Sequence, residues 1–250
     1  MFKILYQDDD LIAIDKPAGF YVHPPENRAI TIPREENCLR RLREQSGKWL
    51  YPVHRLDRAT SGVLVYALST EAASSLAQAF SARAVTKKYW AVVRGYLPEA
   101  ASGAVGIIDR PLKRDSSDTL AEARTTYRTL AQLELPHAVG RHASTRYSFL
   151  EVEPLTGRFH QIRRHLAGTG HPLIGDTVHG DGKHNRFFRQ EIGLSGLLLK
   201  AYELRLPHPR TARELRIESP GIEAWQPRLG VLPWKICQSS PLGAKVKPPS

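Results

Sequence analysis

The chain has few of the features that mark disulfide-stapled, secreted or membrane-inserted proteins. Its 250 residues include two cysteines, Cys38 and Cys237, which do not form a CxxC pair. The N-terminal residues 1–4 are not followed by an apolar segment with a small-residue cleavage site. No stretch approaches the roughly 18 apolar residues of a membrane span. These absences exclude a disulfide framework and predict a reduced, cytoplasmic chain without a membrane partner.

Acidic residues are scarce relative to basic ones. There are 25 Asp and Glu residues against 36 Lys and Arg residues, for a formal net charge of +11. A surplus of this size is typical of proteins that bind a polyanion such as nucleic acid. A soluble enzyme with a solvated basic surface has the same composition, so charge alone leaves both interpretations open.

One short polar segment places a carboxylate between two arginines. It runs from His54 to Gly62 with the sequence HRLDRATSG, and Asp57 lies between Arg55 and Arg58. Nearby cations favour the charged form of a carboxylate, so the segment predicts an anion at neutral pH. Arginines are also suited to phosphate groups. The alternative is a surface ion-pair cluster of little energetic weight.

Hydrophobic patterns predict alternating strands and helices. The expected strands cover residues 2–6, 11–14, 63–68, 87–95, 123–130, 145–152 and 197–204, and the expected helices cover residues 38–44, 69–85 and 158–168. Several of the strands alternate polar and apolar residues, as antiparallel strands with one solvated face do. The pattern predicts an α/β (α+β) fold with a mixed, largely antiparallel sheet, flanking helices and a central catalytic cleft.

The predicted helix near residue 160 begins with a second basic cluster. Arg158, His160, Gln161, Arg163 and His165 are expected on one face, while Phe159, Ile162 and Leu166 are expected on an apolar face. A helix N-terminus that carries arginine and glutamine suits phosphates and base edges.

Metal and hydrolase chemistry fit the sequence poorly. The spacing of the histidines matches no familiar ligand pattern, so no metal is expected; they are His160, His165, His171 and His179. Ser61 lies in no Gly-x-Ser-x-Gly elbow, which argues against a serine hydrolase. Gly175-Asp176 and Gly180-Asp181-Gly182 are interpreted as turns because they lack nucleotide-binding spacing.

Domain boundaries are predicted from composition. The sequence favours a single domain over residues 1–232, followed by a basic tail rich in Pro, Ser and Lys over residues 233–250, which is expected to be mobile.

Three segments together resemble the RluA-type pseudouridine synthases. The HRLDRATSG segment resembles the catalytic motif of that family, Lys87–Val92 resembles its tyrosine motif, and Gly157–His165 resembles its arginine motif. The three occur in the family's order. Residues 4–19 and 197–201 are also similar to family segments, so the resemblance covers about residues 2 to 220. It implies a pseudouridine synthase fold without a small N-terminal S4-like RNA-binding domain.

The resemblance also implies an activity and the residues that perform it. The expected reaction isomerises uridine in RNA without a cofactor, using Asp57 as the catalytic carboxylate, Arg163 as its partner, and Tyr89 as a stacking platform or a proton acceptor. Leu198 or Leu199 is expected to form the apolar wall that excludes water. RNA contacts are expected from six further residues: Arg55, Arg58, Thr60, Arg158, His160 and Gln161.

The substrate and the class of protein retain alternatives at this point. The segment 171–186 is similar to family members that modify uridine 65 of tRNA, while an rRNA substrate or another tRNA position stays open. A monomer is expected. The rival interpretations are a non-catalytic RNA chaperone on the same fold and a nucleoside hydrolase, the latter requiring a second carboxylate to activate water.

Overall fold

The chain is divided into two compact units, each assembled from segments that are distant in the sequence. The computed structural model describes residues 1–23, 32–98, 104–114, 117–140, 142–221, 225 and 227–237. The first unit comprises Met1–Lys87 and Lys200–Pro220, and the second comprises Lys88–Leu199 and Gly221–Ser250. The single domain over residues 1–232 stays a prediction.

The first unit is built on a sheet with strand order β1-β2-β4-β11, to which β3 adds beside β4 and β12 beside β11. Its strands are β1 (Lys3–Gln7), β2 (Leu11–Lys16), β3 (Tyr51–Pro52), β4 (Ser61–Ala67), β11 (Leu199–Pro207) and β12 (Glu214–Glu218). Every residue of β4 is buried, as its continuous apolar run predicts for a central strand. The β4–β11 pairing is parallel, while β2 and β4 pair antiparallel.

Helices α1 (Cys38–Ser46) and α2 (Thr70–Ser81) belong to the first unit, and residues 34–36 form a 3₁₀ turn before α1. The Ser69 side chain accepts a hydrogen bond from the Ala72 N–H and so caps the N-terminus of α2. Leu76 is fully buried on the apolar face of α2. This helix ends at Ser81 rather than near residue 85, because Arg83 has a positive φ of 57° that a helix does not tolerate.

The second unit is built on the strand order β5-β10-β9-β13, with β6 beside β9, and on a separate hairpin of β7 and β8. Its strands are β5 (Thr86–Arg94), β6 (Gly106–Asp109), β7 (Leu112–Lys113), β8 (Leu120–Ala121), β9 (Arg124–Leu135), β10 (Thr145–Pro154) and β13 (Lys235–Ile236). In the larger of these two sheets, β10 pairs antiparallel with β5 and β9, and β9 pairs antiparallel with β6 and β13. The predicted mixed, largely antiparallel α+β architecture is confirmed.

Short helices follow the long hairpin of the second unit. They are α3 (Gln161–Gly168), α4 (Gly182–Phe187), a π-helical turn at Phe188–Ile192, and α5 (Pro227–Gly230). None of the helices in the described ranges combines the length and the apolarity that a membrane crossing requires.

The C-terminal segment differs from the sequence expectation at its start. Residues 235–236 form β13 against β9, and the Cys237 N–H donates to the Leu130 carbonyl. The sheet therefore continues past residue 233, where the tail was predicted to begin, because short strands give no periodicity signal of their own. Residues 238–250 lie outside the described part of the chain.

Candidate active site

The HRLDRATSG segment forms a tight turn that leads directly into β4. The Thr60 N–H donates to the Asp57 carbonyl at 3.0 Å, while Leu56 and Thr60 are buried. Asp57 itself is half-buried and Arg55 is exposed. The turn is therefore anchored by its apolar and threonine side chains.

Lys16 supports this turn from beneath. Its ammonium is fully buried and donates to three main-chain carbonyls, those of Pro17 at 3.0 Å, Phe20 at 2.9 Å and Arg58 at 3.2 Å. Burial lowers the pKa of Lys16 to about 8. The lysine thus ties the segment after β2 to the carbonyl that follows Asp57.

Arg58 is also engaged by the protein. Its Nε donates to the Gly19 carbonyl at 2.9 Å, its Nη2 pairs with Glu36 at 2.7 Å, and its guanidinium lies 5.1 Å from the centre of the Tyr21 ring. The Gly19 N–H donates back to the Arg58 carbonyl at 2.8 Å. The side chain therefore helps to hold the turn, and its contact with RNA stays a prediction. Thr60 is 2 % exposed, and its contact with RNA also stays a prediction.

His54 connects the start of the segment to β4. The Val65 N–H donates to its Nε2 at 2.9 Å, so that nitrogen carries no proton, and the ring stacks on Phe80. Burial, with a smaller contribution from the Lys87 charge, lowers the pKa of His54 to about 3. His54 is therefore neutral at physiological pH and acts as a fixed hydrogen-bond acceptor.

Gly62 closes the segment at a position where a side chain does not fit. Its φ is +115°, and it pairs with Ala201 in the parallel register of β4 and β11. A Cβ placed on Gly62 would lie 2.0 Å from the Ala201 carbonyl oxygen. Only glycine satisfies both the positive φ and the close approach.

Arg163 lies inside the second unit on α3. It is 4 % exposed, and its guanidinium makes a two-point ion pair with Asp176, Nε to Oδ2 at 2.7 Å and Nη2 to Oδ1 at 2.8 Å. From the sequence, Gly175-Asp176 is interpreted as a turn and Asp176 is assigned no role. The signal that could have found it is this Gly-Asp pair within the segment 171–186. The pairing of Arg163 with Asp57 stays a prediction.

Gln161, expected from the sequence to contact RNA, is buried, and that contact stays a prediction. It is 4 % exposed, and its Oε1 accepts from the Thr156 hydroxyl at 2.7 Å and from the Arg158 N–H at 3.0 Å. Its Nε2 donates to the Arg124 carbonyl and to the Thr125 hydroxyl. Because both ends of the amide are used in the interior, Gln161 holds the start of α3 against β9.

The N-terminus of α3 also differs from its prediction. The helix begins at Gln161, and the preceding His160 has a left-handed φ of 50°. Phe159, expected on the apolar face, is 42 % exposed and stacks on the His160 ring with 3.7 Å between centroids. The Arg158 Nε donates to the Glu122 carbonyl at 2.9 Å. Residues 158–160 therefore form a turn that exposes an aromatic ring beside arginine, an arrangement suited to nucleotides.

Tyr89 and the two leucines occupy buried positions. Tyr89 lies in β5 opposite Val152 of β10 and is 9 % exposed. Leu198 and Leu199 are 0 % and 3 % exposed, and the Leu198 carbonyl accepts from the Val92 N–H. The three residues are placed as core residues are, and their proposed roles in a pocket stay predictions.

The histidines considered as ligands are hydrogen-bonded to protein groups. The reported contacts join His160 to His179 at 3.0 Å, His165 to Thr125 and to the Arg110 carbonyl, and His171 to the Arg94 carbonyl. In the described part of the chain, one group has donor atoms close enough for a metal: Asp8, Asp10 and His208. Arg210 makes a two-point ion pair with Asp10, and His208 pairs with Asp8. Asp10 is therefore already paired with a guanidinium, and Asp8 is already hydrogen-bonded to the His208 ring.

The sequence matches known proteins over segments that belong to both units. Residues 10–168 match the family model described as RNA pseudouridylate synthase, and they include the three motifs with Asp57, Tyr89 and Arg163. The chain is 43 % identical over 245 residues to tRNA pseudouridine synthase C of Vibrio cholerae, covering 94 % of this chain and 97 % of that protein. The protein of the same name from Haemophilus ducreyi is 40 % identical, with 92 % and 96 % covered.

Solved structures support the fold. Human RNA pseudouridylate synthase domain containing 1 aligns with a TM-score of 0.73 and 22 % identity, covering all of this chain and 97 % of that one. Human RNA pseudouridylate synthase domain containing 4 aligns with a TM-score of 0.69 and 24 % identity, covering 94 % of each chain. With the motif order, the family match and the fold in agreement, the chain belongs to the RNA pseudouridylate synthase family.

Proposed function

We propose that this chain isomerises a uridine of tRNA to pseudouridine, with uridine 65 as its target. The observation that carries the proposal is the identity of about 40 % to proteins named tRNA pseudouridine synthase C over nearly their whole length. The formal net charge of +11 fits an RNA substrate, because phosphate contacts supply much of the affinity in such complexes.

The reaction requires a carboxylate but no net change in atoms. The bond between ribose C1′ and uracil N1 breaks, the base turns, and a new bond forms between C1′ and C5. The C5 proton is lost to solvent and N1 takes up a proton, so that the atoms balance. Cleavage builds positive charge on the sugar, which a carboxylate stabilises or captures, as in glycoside hydrolysis. Asp57 is the proposed carboxylate. Asp57 is half-buried in a hydrogen-bonded turn, so its carboxylate is held in place and can still be reached by an RNA substrate.

Arg163 and Tyr89 are the proposed partners of Asp57 in this reaction. A guanidinium favours the ionised form of a carboxylate, which is the reactive form here. Tyr89 would contact the uracil ring, either by stacking or as a proton acceptor. Leu198 and Leu199 are proposed to exclude water, which would otherwise trap the opened sugar and leave an abasic site.

RNA contacts are proposed for residues of both motifs. Arg55 is exposed two residues before Asp57, a position suited to a side chain that replaces the flipped uridine in the stack. Arg158, Phe159 and His160 form the turn before α3 with an exposed ring and a guanidinium held by a main-chain carbonyl. Because a main-chain carbonyl carries no net charge, this hydrogen bond does not neutralise the guanidinium, which can still attract a phosphate.

The test is release of tritium from tRNA transcribed with uridine labelled at C5. The wild-type chain should release one tritium per tRNA, and a transcript with cytidine at position 65 should release none. Asp57→Asn and Asp57→Ala should retain tRNA binding and abolish release. Asp9→Asn is the matched control, since it removes one charge from an exposed turn of the same unit and should release tritium at the wild-type rate.

The outcomes separate the parts of the proposal. Release from the position-65 variant, or from rRNA fragments alone, would show that the target is another uridine. Wild-type rates in Asp57→Ala would remove Asp57 from the mechanism. An absence of release from every RNA, with binding intact, would identify a non-catalytic RNA-binding protein.

A further inference from the structure

Asp176 is a buried carboxylate that the motif-based assignment of the active site does not use. It lies between α3 and α4, and it forms the two-point ion pair with Arg163 described above, in which the two side chains are 5 % and 1 % exposed. A two-point pair fixes both the plane and the rotation of a guanidinium, whereas a single hydrogen bond leaves rotation open.

Asp176 is itself held in place by its own segment. Its Oδ1 also accepts from the main-chain N–H groups of Val178 at 2.9 Å and His179 at 3.0 Å. Its carbonyl accepts from Asn185 Nδ2 at 2.8 Å, while Asn185 Oδ1 accepts from the Gly175 N–H at 2.7 Å. Asn185 of α4 thus clamps the backbone on either side of the carboxylate, and the Arg163 guanidinium is anchored to a rigid loop.

The charge state of the pair agrees with this geometry. Burial acts to raise the pKa of Asp176, but the hydrogen bonds from Arg163 and from the two N–H groups outweigh it and lower the pKa to about 2. Asp176 therefore remains an anion throughout the physiological range. Neutralising it would remove one counter-charge of a buried guanidinium and the two-point contact that fixes the direction of that guanidinium.

We propose that Asp176 is a positioning residue for the isomerisation, which orients Arg163 for its work on Asp57. The inference rests on the proposed function, in which Arg163 takes part in catalysis. Asp176 does not contact the uridine in this scheme. Its effect is carried entirely by Arg163, so it acts on the rate of the chemical step rather than on RNA affinity.

The first experiment compares Asp176→Asn with Glu203→Gln under single-turnover conditions. Glu203 is a matched control, since it is equally buried and pairs with Arg205 and Arg216, but it lies in β11 of the other unit. Asp176→Asn should lower the rate constant at saturating protein on the order of 100-fold with little change in Kd for tRNA. Glu203→Gln should keep the wild-type rate constant per folded molecule.

The second experiment separates positioning from general loss of structure. In an Arg163→Ala background, Asp176→Asn should cause no further loss of rate, because its effect passes through the missing guanidinium. A further loss of tenfold or more would overturn the proposal. Asp176→Glu, which keeps the charge, should recover part of the rate that Asp176→Asn loses.

The failure of each level is distinguishable. If Arg163→Ala keeps the wild-type rate, the proposed function of Arg163 fails and the inference falls with it. If Arg163→Ala loses activity while Asp176→Asn keeps it, the inference alone fails. Should Asp176→Asn not fold, Asn185→Ala loosens the clamp and keeps the ion pair. It should then lower the rate about tenfold, and a wild-type rate there would overturn the proposal.

Discussion

Replacing Gly62 by alanine should destabilise the protein far more than the same change at Gly47, which also has a positive φ but has open space around it. The φ of +115° costs about 1 to 3 kcal/mol for a residue with a side chain. The added Cβ would lie 2.0 Å from the Ala201 carbonyl oxygen, so β4 and β11 must separate locally. Such overpacking adds about 1 to 3 kcal/mol. The expected loss is therefore about 4 kcal/mol, a large part of a typical folding free energy.

Gly47 provides the matched control. It ends α1 in a left-handed conformation with φ of 66°, and a Cβ there would meet no atom within 4 Å. Gly47→Ala should therefore cost only the backbone term, about 1 to 2 kcal/mol. The difference between the two variants isolates the steric contact between the strands from the conformational preference of glycine.

The assay is urea unfolding followed by far-ultraviolet circular dichroism, with the slope m compared among wild type and both variants. Gly62→Ala should shift the midpoint to lower urea by at least twice the shift of Gly47→Ala. Losses of unfolding free energy that agree within about 0.5 kcal/mol in the two variants would refute the argument that the close approach of β4 and β11 requires glycine. Tritium release by Gly62→Ala should fall in proportion to the folded fraction of that variant, since Gly62 ends the turn that carries Asp57.

Two further predictions concern charge. Burial depresses the pKa of Lys16 from 10.5 to about 8, so between these values the unfolded chain holds a proton that the folded chain has released, and stability rises with pH. The stability of wild type relative to Lys16→Met should therefore increase by about 3 kcal/mol from pH 8 to 10.5 in urea unfolding, and a constant difference would contradict the burial of its charge. Arg158, whose guanidinium is held by the Glu122 carbonyl in the turn before α3, is proposed to contact a phosphate: Arg158→Gln should reduce the slope of log K against log salt by about 1. Arg216→Gln, which removes a guanidinium already paired with two glutamates, should leave that slope unchanged. Equal slopes in wild type and in both variants would contradict the proposed phosphate contact.

Local chemistry made several elements of the fold predictable. Strand β4 follows from seven residues that are nearly all apolar, and the N-terminus of α2 follows from the hydroxyl of Ser69. Both signals act over a few residues, through the hydrophobic effect and through hydrogen bonds to neighbouring N–H groups. The boundaries were less accurate where a single backbone angle decides them, as at Arg83 and His160.

The region around α3 was predicted less well, for a physical reason. Its periodicity placed Gln161 on a solvent-facing basic side, but the structure buries it. Burial of a polar side chain is favourable only when partners satisfy it. Those partners, such as Thr125 for Gln161, lie in segments whose proximity no local pattern reveals. Phe159 was assigned to the apolar side for the same reason and is instead exposed.

The sequence by itself determined the family, because three motifs in the same order carry the chemistry of one reaction and place Asp57 in the first of them. Tertiary structure alone decided what supports those motifs. It brought Asp176 to Arg163, placed the Lys16 ammonium under the turn, and set Gly62 against Ala201. Each of these contacts joins residues through the packing of separate strands and loops. The energy of a buried charge or of a steric clash depends on that packing and not on neighbours in the sequence.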